Sequence, residues 1–158
     1  MTTTISFDTI AWPTLRRDRD SDQVRTVQLL LRHHGNGLAP DGIFGPITEA
    51  GVREFQSSHG LDVDGIVGRN TWSALIVTVQ QGDHGDAVRG VQWQSVIRHG
   101  DDGLALDGDF GPLTDAYVRD FQTTLGFRFP GDDIAVDGIV GPITWRAFAA
   151  GLEGLGGE

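Results

Sequence analysis

The feature that most restricts what this chain can fold into is a nine-residue stretch written twice. Asp64-Gly65-Ile66-Val67-Gly68-Arg69-Asn70-Thr71-Trp72 returns as Asp137-Gly138-Ile139-Val140-Gly141-Pro142-Ile143-Thr144-Trp145, identical at seven of nine positions. A related signal precedes each copy: Asp41-Gly42-Ile43-Phe44-Gly45-Pro46-Ile47-Thr48, and later Asp107-Gly108-Asp109-Phe110-Gly111-Pro112-Leu113-Thr114. Turn, apolar residue, glycine and helix start recur four times in fixed order, the mark of a duplicated small unit. Glycine accepts positive φ without steric cost, and Asp hydrogen-bonds backbone N–H groups just downstream.

The repeat divides the 158 residues into two units of roughly 65 to 75 residues, a size at which a single core is marginal. With no cysteine, disulfides and thiolate metal sites are excluded, so packing within and between the units has to supply the stability. A formal net charge of -10 argues against nucleic acid and anionic membrane surfaces, which reward clustered Lys and Arg. No apolar run approaches the ~20 residues of a membrane span. Met1 to Asp8 lacks the basic start and apolar core of a secretory signal, which leaves the export route open.

The expected order is a loosely ordered arm over residues 1–11, a first unit over 12–78, a second over 79–150 and a frayed tail over 151–158. Each unit is predicted to hold three short helices, giving an all-α fold of two three-helix bundles in tandem. Trp12-Pro13-Thr14-Leu15 is expected to fold back and cap the first unit. Ser21 or Asp22 caps a helix from about Gln23, with Val24, Val27, Leu30 and Leu31 as its apolar stripe. Pro46 opens a second helix burying Thr48, Val52 and Phe55, and a third directs Trp72 and Leu75 inward. In the second unit Val88, Val91, Val96 and Ile97 supply the first helix, Tyr117, Val118 and Phe121 the second, and Trp145 and Phe148 the third. Repeat spacings place two extra residues before Asp107 and seven more in the loop 126–133, between helices.

Catalytic constellations are not apparent. His33, His34, His59, His84 and His99 form no metal-ligand spacing, and His33 and His34 read as polar residues at a helix end. Asp107-Gly108-Asp109 resembles the opening of a calcium loop, but the twelfth position is Val118 rather than Glu. The turn aspartates are already engaged in turn geometry, so no catalytic residue, metal or cofactor is expected. Gln28, Gln56, Gln92 and Gln122 recur twice per unit and suit amides that pin the Asp-Gly loops, with ligand contact as the other reading. Trp72 and Trp145 divide between core packing and stacking on a ligand.

Val-x-x-Val-Gln, Asp-Gly-x-Phe-Gly-Pro-x-Thr, Phe-Gln, Asp-Gly-x-Val-Gly and Thr-Trp, in that order and twice, resemble the three-helix peptidoglycan-binding domain of bacterial cell-wall hydrolases. The resemblance covers residues 23–76 and 88–148. It implies a non-catalytic module holding the wall polymer in a shallow groove, with contacts among Asp41, Gly42, Phe44, Gly45, Gln56, Asp64, Gly65, Val67 and Gly68. In the second unit the corresponding positions are Asp107, Gly108, Phe110, Gly111, Gln122, Asp137, Gly138, Val140 and Gly141. It further implies a monomer attached to peptidoglycan outside the cytoplasm, with a wall hydrolase or other protein as a separate partner. A protein-interaction scaffold or accessory subunit on the same fold is the alternative, and an unrecognised wall hydrolase a third. One departure stands out: the family's opening Gly-x-x-Gly turn survives as Gly82 and Gly85, but the first unit has Asp18 and Ser21.

Overall fold

The fold is that of a computed structural model, which describes residues 5–152. Six α-helices are found among them: α1 (Gln23–His33), α2 (Pro46–Ser58), α3 (Arg69–Leu75), α4 (Asp86–His99), α5 (Pro112–Arg128) and α6 (Pro142–Ala149). The all-α expectation is borne out, and among the described residues the strand-like pairings are isolated antiparallel bridges, Leu15 with Val67, Val79 with Val140 and His84 with Asp109.

Four helices start identically. Gly45, Gly68, Gly111 and Gly141 precede α2, α3, α5 and α6 with φ between -105 and -101 and ψ between -165 and -162. Proline follows three of them, where its missing N–H has no intrahelical partner. At α1 the hydroxyl of Ser21 accepts from the Gln23 N–H at 3.1 Å, while Asp22 makes no side-chain cap. Asp18 adopts a φ of 66, as Gly82 adopts 102, and their N–H groups donate to the carbonyls of Phe44 and Phe110 at 3.0 and 2.9 Å. The first position of the opening turn therefore keeps its conformation despite the lost glycine, because Asp is one of the few residues that tolerates it, whereas Gly85 has a φ of 114 and its counterpart Ser21 does not share that conformation.

In the first core Val24, Val27, Leu30 and Leu31 meet Val52, Phe55, Trp72 and Leu75, all buried; in the second, Val88 and Val91 meet Val118, Phe121, Trp145 and Phe148. Each indole N–H donates to a carbonyl in the segment leading into its unit, Trp72 to Pro13 at 2.8 Å and Trp145 to Val77 at 2.7 Å. Trp12 also stacks on Trp72, centroids 5.3 Å apart, so its stretch does cap the first unit.

Three expectations change. Val96 and Ile97 are only half-buried, and α4 instead buries Gly90, Gln94 and Ser95, because a second face of this helix packs against α1 of the first unit. The seven-residue insertion does not lie wholly between helices: Gly126, Phe127 and Arg128 form the last turn of α5. The arm is ordered over its described part. Phe7, in a short 3-10 turn over Phe7–Thr9, is 2% exposed against Phe129 at 5.3 Å, and its N–H donates to the Asp132 carboxylate at 2.8 Å. The insertion thus provides a seat for the arm. Residues 1–4 and most of the expected tail, 153–158, lie outside the described residues.

Candidate functional site

All four Asp-Gly loops are held by one clamp. A buried glutamine on the preceding helix donates through Nε2 to the loop Asp Oδ1: Gln28 to Asp41 at 2.9 Å, Gln56 to Asp64 at 3.0 Å, Gln92 to Asp107 at 2.9 Å and Gln122 to Asp137 at 3.2 Å. The same amide nitrogen reaches the carbonyl two residues on, of Ile43, Ile66, Asp109 and Ile139, and the hydroxyl of Thr48, Thr71, Thr114 or Thr144. Its Oε1 accepts from the loop glycine, Gly42, Gly65, Gly108 or Gly138, at 2.8 to 3.0 Å. Those glycines have φ between 73 and 80, which a side chain would strain. Each amide is satisfied on both sides, so the loop cannot shift without leaving buried polar groups unpaired.

Each loop carboxylate also accepts the N–H two residues on at 2.9 Å. That backbone bond, followed by the glutamine amide, holds the Asp41 and Asp107 carboxyls below their ordinary value, because both donors stabilise the charged form.

The eighteen positions transferred from the family separate by depth. Asp41, Asp64, Asp107 and Asp137 are exposed; Gly42, Gly45, Gly68, Gly111 and Gly141 are half-buried; Gly65, Gly108 and Gly138 are buried. Phe44, Val67, Phe110 and Val140 are in the cores at 3% exposure or less, and Gln56 and Gln122 are buried in their clamps. The surface at each site consists of the Asp side chain, loop backbone and flanking residues. Trp72 and Trp145 are fully buried, which decides for core packing over ligand stacking.

Beside three of the loops lie open hollows. Those at Asp107 and Asp137, about 210 and 170 Å³, have aliphatic walls: Leu104, Ala105 and Leu113 at one, Ile134, Ala135 and Ile143 at the other. The hollow at Asp64 is wider and is lined by Asp62, Arg69 and Asn70. The two units thus present different chemistry from one backbone.

Sequence reading passed over an arginine at each clamp. Arg53 and Arg119 lie against Gly65 and Gly138, and Arg89 against Gly108; they donate to the carbonyls of Val63, Asp137 and Asp107 respectively. Glu49 holds Arg53, Asp115 holds Arg119 and Asp86 holds Arg89 by ion pairs of 3.8, 3.0 and 3.1 Å. The signal was present: Arg-x-x-Gln occurs at Arg25, Arg53, Arg89 and Arg119, always three residues before a clamp glutamine. Arg25 differs, its guanidinium lying 4.4 Å over the Trp93 ring of the other unit.

Residues 20–75 match the family described as putative peptidoglycan binding domain, so the resemblance read from the motifs is borne out over that segment. The chain is 37% identical over 124 residues to a zinc D-Ala-D-Ala carboxypeptidase of Streptomyces albus G, a match covering 77% of this chain and 43% of the relative. It is 42% identical over 72 residues to an uncharacterized protein in the bpoA1 3' region of Kitasatospora aureofaciens, covering 44% of this chain and 61% of that one. The chain therefore spans less than two thirds of either relative. Among solved structures, a peptidoglycan-binding protein from Clostridioides difficile in complex with glutamine hydroxamate aligns with 33% identity over 40% of each chain and a TM-score of 0.39.

Proposed function

We propose that this chain is a non-catalytic wall-attachment module in which two units, residues 12–78 and 79–150, each hold peptidoglycan at their Asp-Gly loops. The family match over residues 20–75 carries this reading. The matched segment contains the Asp41 and Asp64 loops, and the second unit reproduces their clamps atom for atom. Contact falls to the exposed carboxylates, the loop backbone, the hollow walls and the arginines over the glycines, with the buried members of the family set shaping that surface from beneath. The chain acts as a monomer outside the cytoplasm, and a wall hydrolase is a natural partner.

Two weak sites on one chain suit a repetitive polymer, because the second contact forms at high effective concentration and raises avidity by ~10² or more. The aliphatic hollows of the second unit and the polar one of the first give the two sites unequal affinities.

The test is co-sedimentation with purified insoluble peptidoglycan. Leu113→Asp and Ile143→Asp alter residues 76% and 48% exposed that make no clamp bond, so their folds persist. Loss of pelleting by these variants supports the reading; no pelleting by the intact, folded chain at low salt overturns it in favour of a protein partner. Release of soluble fragments from the walls would instead make the chain an enzyme.

A further inference from the structure

The two units also differ at a place away from the Asp-Gly loops. In the second unit Arg98 directs its guanidinium over the Phe121 and Phe148 rings, 5.1 and 5.5 Å from their centroids, and donates to the Leu152 carbonyl at 2.7 Å. Tyr117 lies parallel to Phe148, 6.1 Å away, and completes the filling. By the repeat spacing, the first unit has His34 for Arg98, Gly51 for Tyr117, His59 for Leu125 and Glu54 for Asp120, while Phe55 keeps the place of Phe121. The result is a hollow of about 110 Å³, lined among others by His34, Asn36, Glu54, Phe55, Ser58 and His59.

Its walls are set. The His34 Nε2 lies 2.9 Å from the Leu75 carbonyl and the His59 Nδ1 lies 2.9 Å from the Phe55 carbonyl. A carbonyl only accepts, so both of these nitrogens carry hydrogens, and in the neutral rings His34 Nδ1 and His59 Nε2 are left as acceptors. His59 stacks on Phe55 at 3.9 Å, and the His34 ring meets Phe55 at 5.0 Å and His59 at 5.7 Å. Glu54, exposed at the rim, makes no hydrogen bond or ion pair among the described residues. The Phe55 ring, two imidazole acceptors and an uncompensated carboxylate all favour positive charge.

We infer that this hollow is a site for a primary alkylammonium group supplied by a ligand, seated where the second unit uses its own Arg98 cation. A compact ammonium suits the space, and its three N–H donors match the imidazole nitrogens and Glu54. The second unit cannot offer this site, since Arg98 and Tyr117 already fill it.

The experiment is amide-resolved NMR titration of the full chain with butylammonium chloride at constant ionic strength, with butanol as the neutral analogue. Saturable shifts centred on Gly35, Asn36, Glu54 and Ser58 are expected with butylammonium and not with butanol. Glu54→Gln, on an exposed helix face, weakens the affinity by about fivefold, the upper end for an exposed ion pair. His59→Leu, which copies the second unit, weakens it as well. Unsaturable shifts, equal shifts with butanol, or an unchanged affinity in Glu54→Gln would overturn the assignment. Wall pelleting plays no part in this readout, so the two readings stand or fall separately.

Discussion

Gln23 on α1 and Gln94 on α4 exchange their amides across the two units. Gln23 Nε2 donates to Gln94 Oε1 at 3.1 Å, and Gln94 Nε2 to Gln23 Oε1 at 3.2 Å. Thr26 Oγ1 joins both, Gln23 also donates to the Phe148 carbonyl, and the indole of Trp93 donates to the Asp22 carbonyl. Buried amides satisfied only in this arrangement fix how the units meet, which apolar packing alone would specify less sharply.

Replacing Gln94 removes one hydrogen bond from each end of the buried Gln23 amide and the donor to Thr26 Oγ1. Gln94→Leu should destabilise the chain by about 1–3 kcal/mol, the usual cost of buried polar groups left unpaired, read by urea denaturation. The Gln23→Leu/Gln94→Leu double variant should recover part of that loss. If the single change is neutral, the pair does not hold the interface.

The clamp gives a second prediction. Gln56→Leu leaves the Gly65 N–H and Ile66 carbonyl without their buried partner and should cost about 1–3 kcal/mol. Amide exchange should quicken over the Asp64 loop, and Gln122→Leu should act likewise on the Asp137 loop.

Phe7→Ala tests the arm. Emptying its seat beside Phe129 should cost about 3 kcal/mol of docking, and the Asp132 contact should go with it. The expected outcome is faster proteolysis before Trp12 with the melting of the first core unchanged.

Two titrations read the pH dependence. Asp41 and Asp107 have depressed folded values, so their contribution to stability is present above the ordinary value of 3.8 and is lost as pH falls through the lower folded values. Asp41→Asn and Asp107→Asn keep an acceptor oxygen and should flatten stability against pH below about pH 4. An acid limb of unchanged slope would count against the loop bonds.

Tyr117, the sole tyrosine, gives the alkaline counterpart. Burial raises its folded value from 10.0 to about 12, partly opposed by Arg98, so the stability it confers is full below 10 and is lost as pH rises through 12. Phenolate absorbance should therefore appear near pH 12 in the folded protein and near pH 10 in denaturant.

The features legible in the sequence were local or recurrent. Asp-Gly turns and Gly-Pro helix starts are encoded within a few residues, and the clamp glutamines could be read because they occur four times at fixed places. The arm escaped because Phe7 and Phe129 are joined by a contact between distant residues that carries no periodic signature. Val88 and Val91 of α4 were read correctly, but Val96 and Ile97 were not, because the helix serves two partners, so polar Gln94 is buried and apolar Ile97 is not. His34 and His59 were invisible as a pair, belonging to different helix ends and meeting only over Phe55.

The arm's seat also settles the topology of attachment. The Phe7 carbonyl lies 3.4 Å from Arg146 Nη2, and Leu152 is bound by Arg98, so both ends of the described chain rest on the second unit. The first unit is an excursion that leaves the second and returns to it. A domain fused beyond Phe7 or Leu152 would therefore be tethered through contacts on the same half of the molecule.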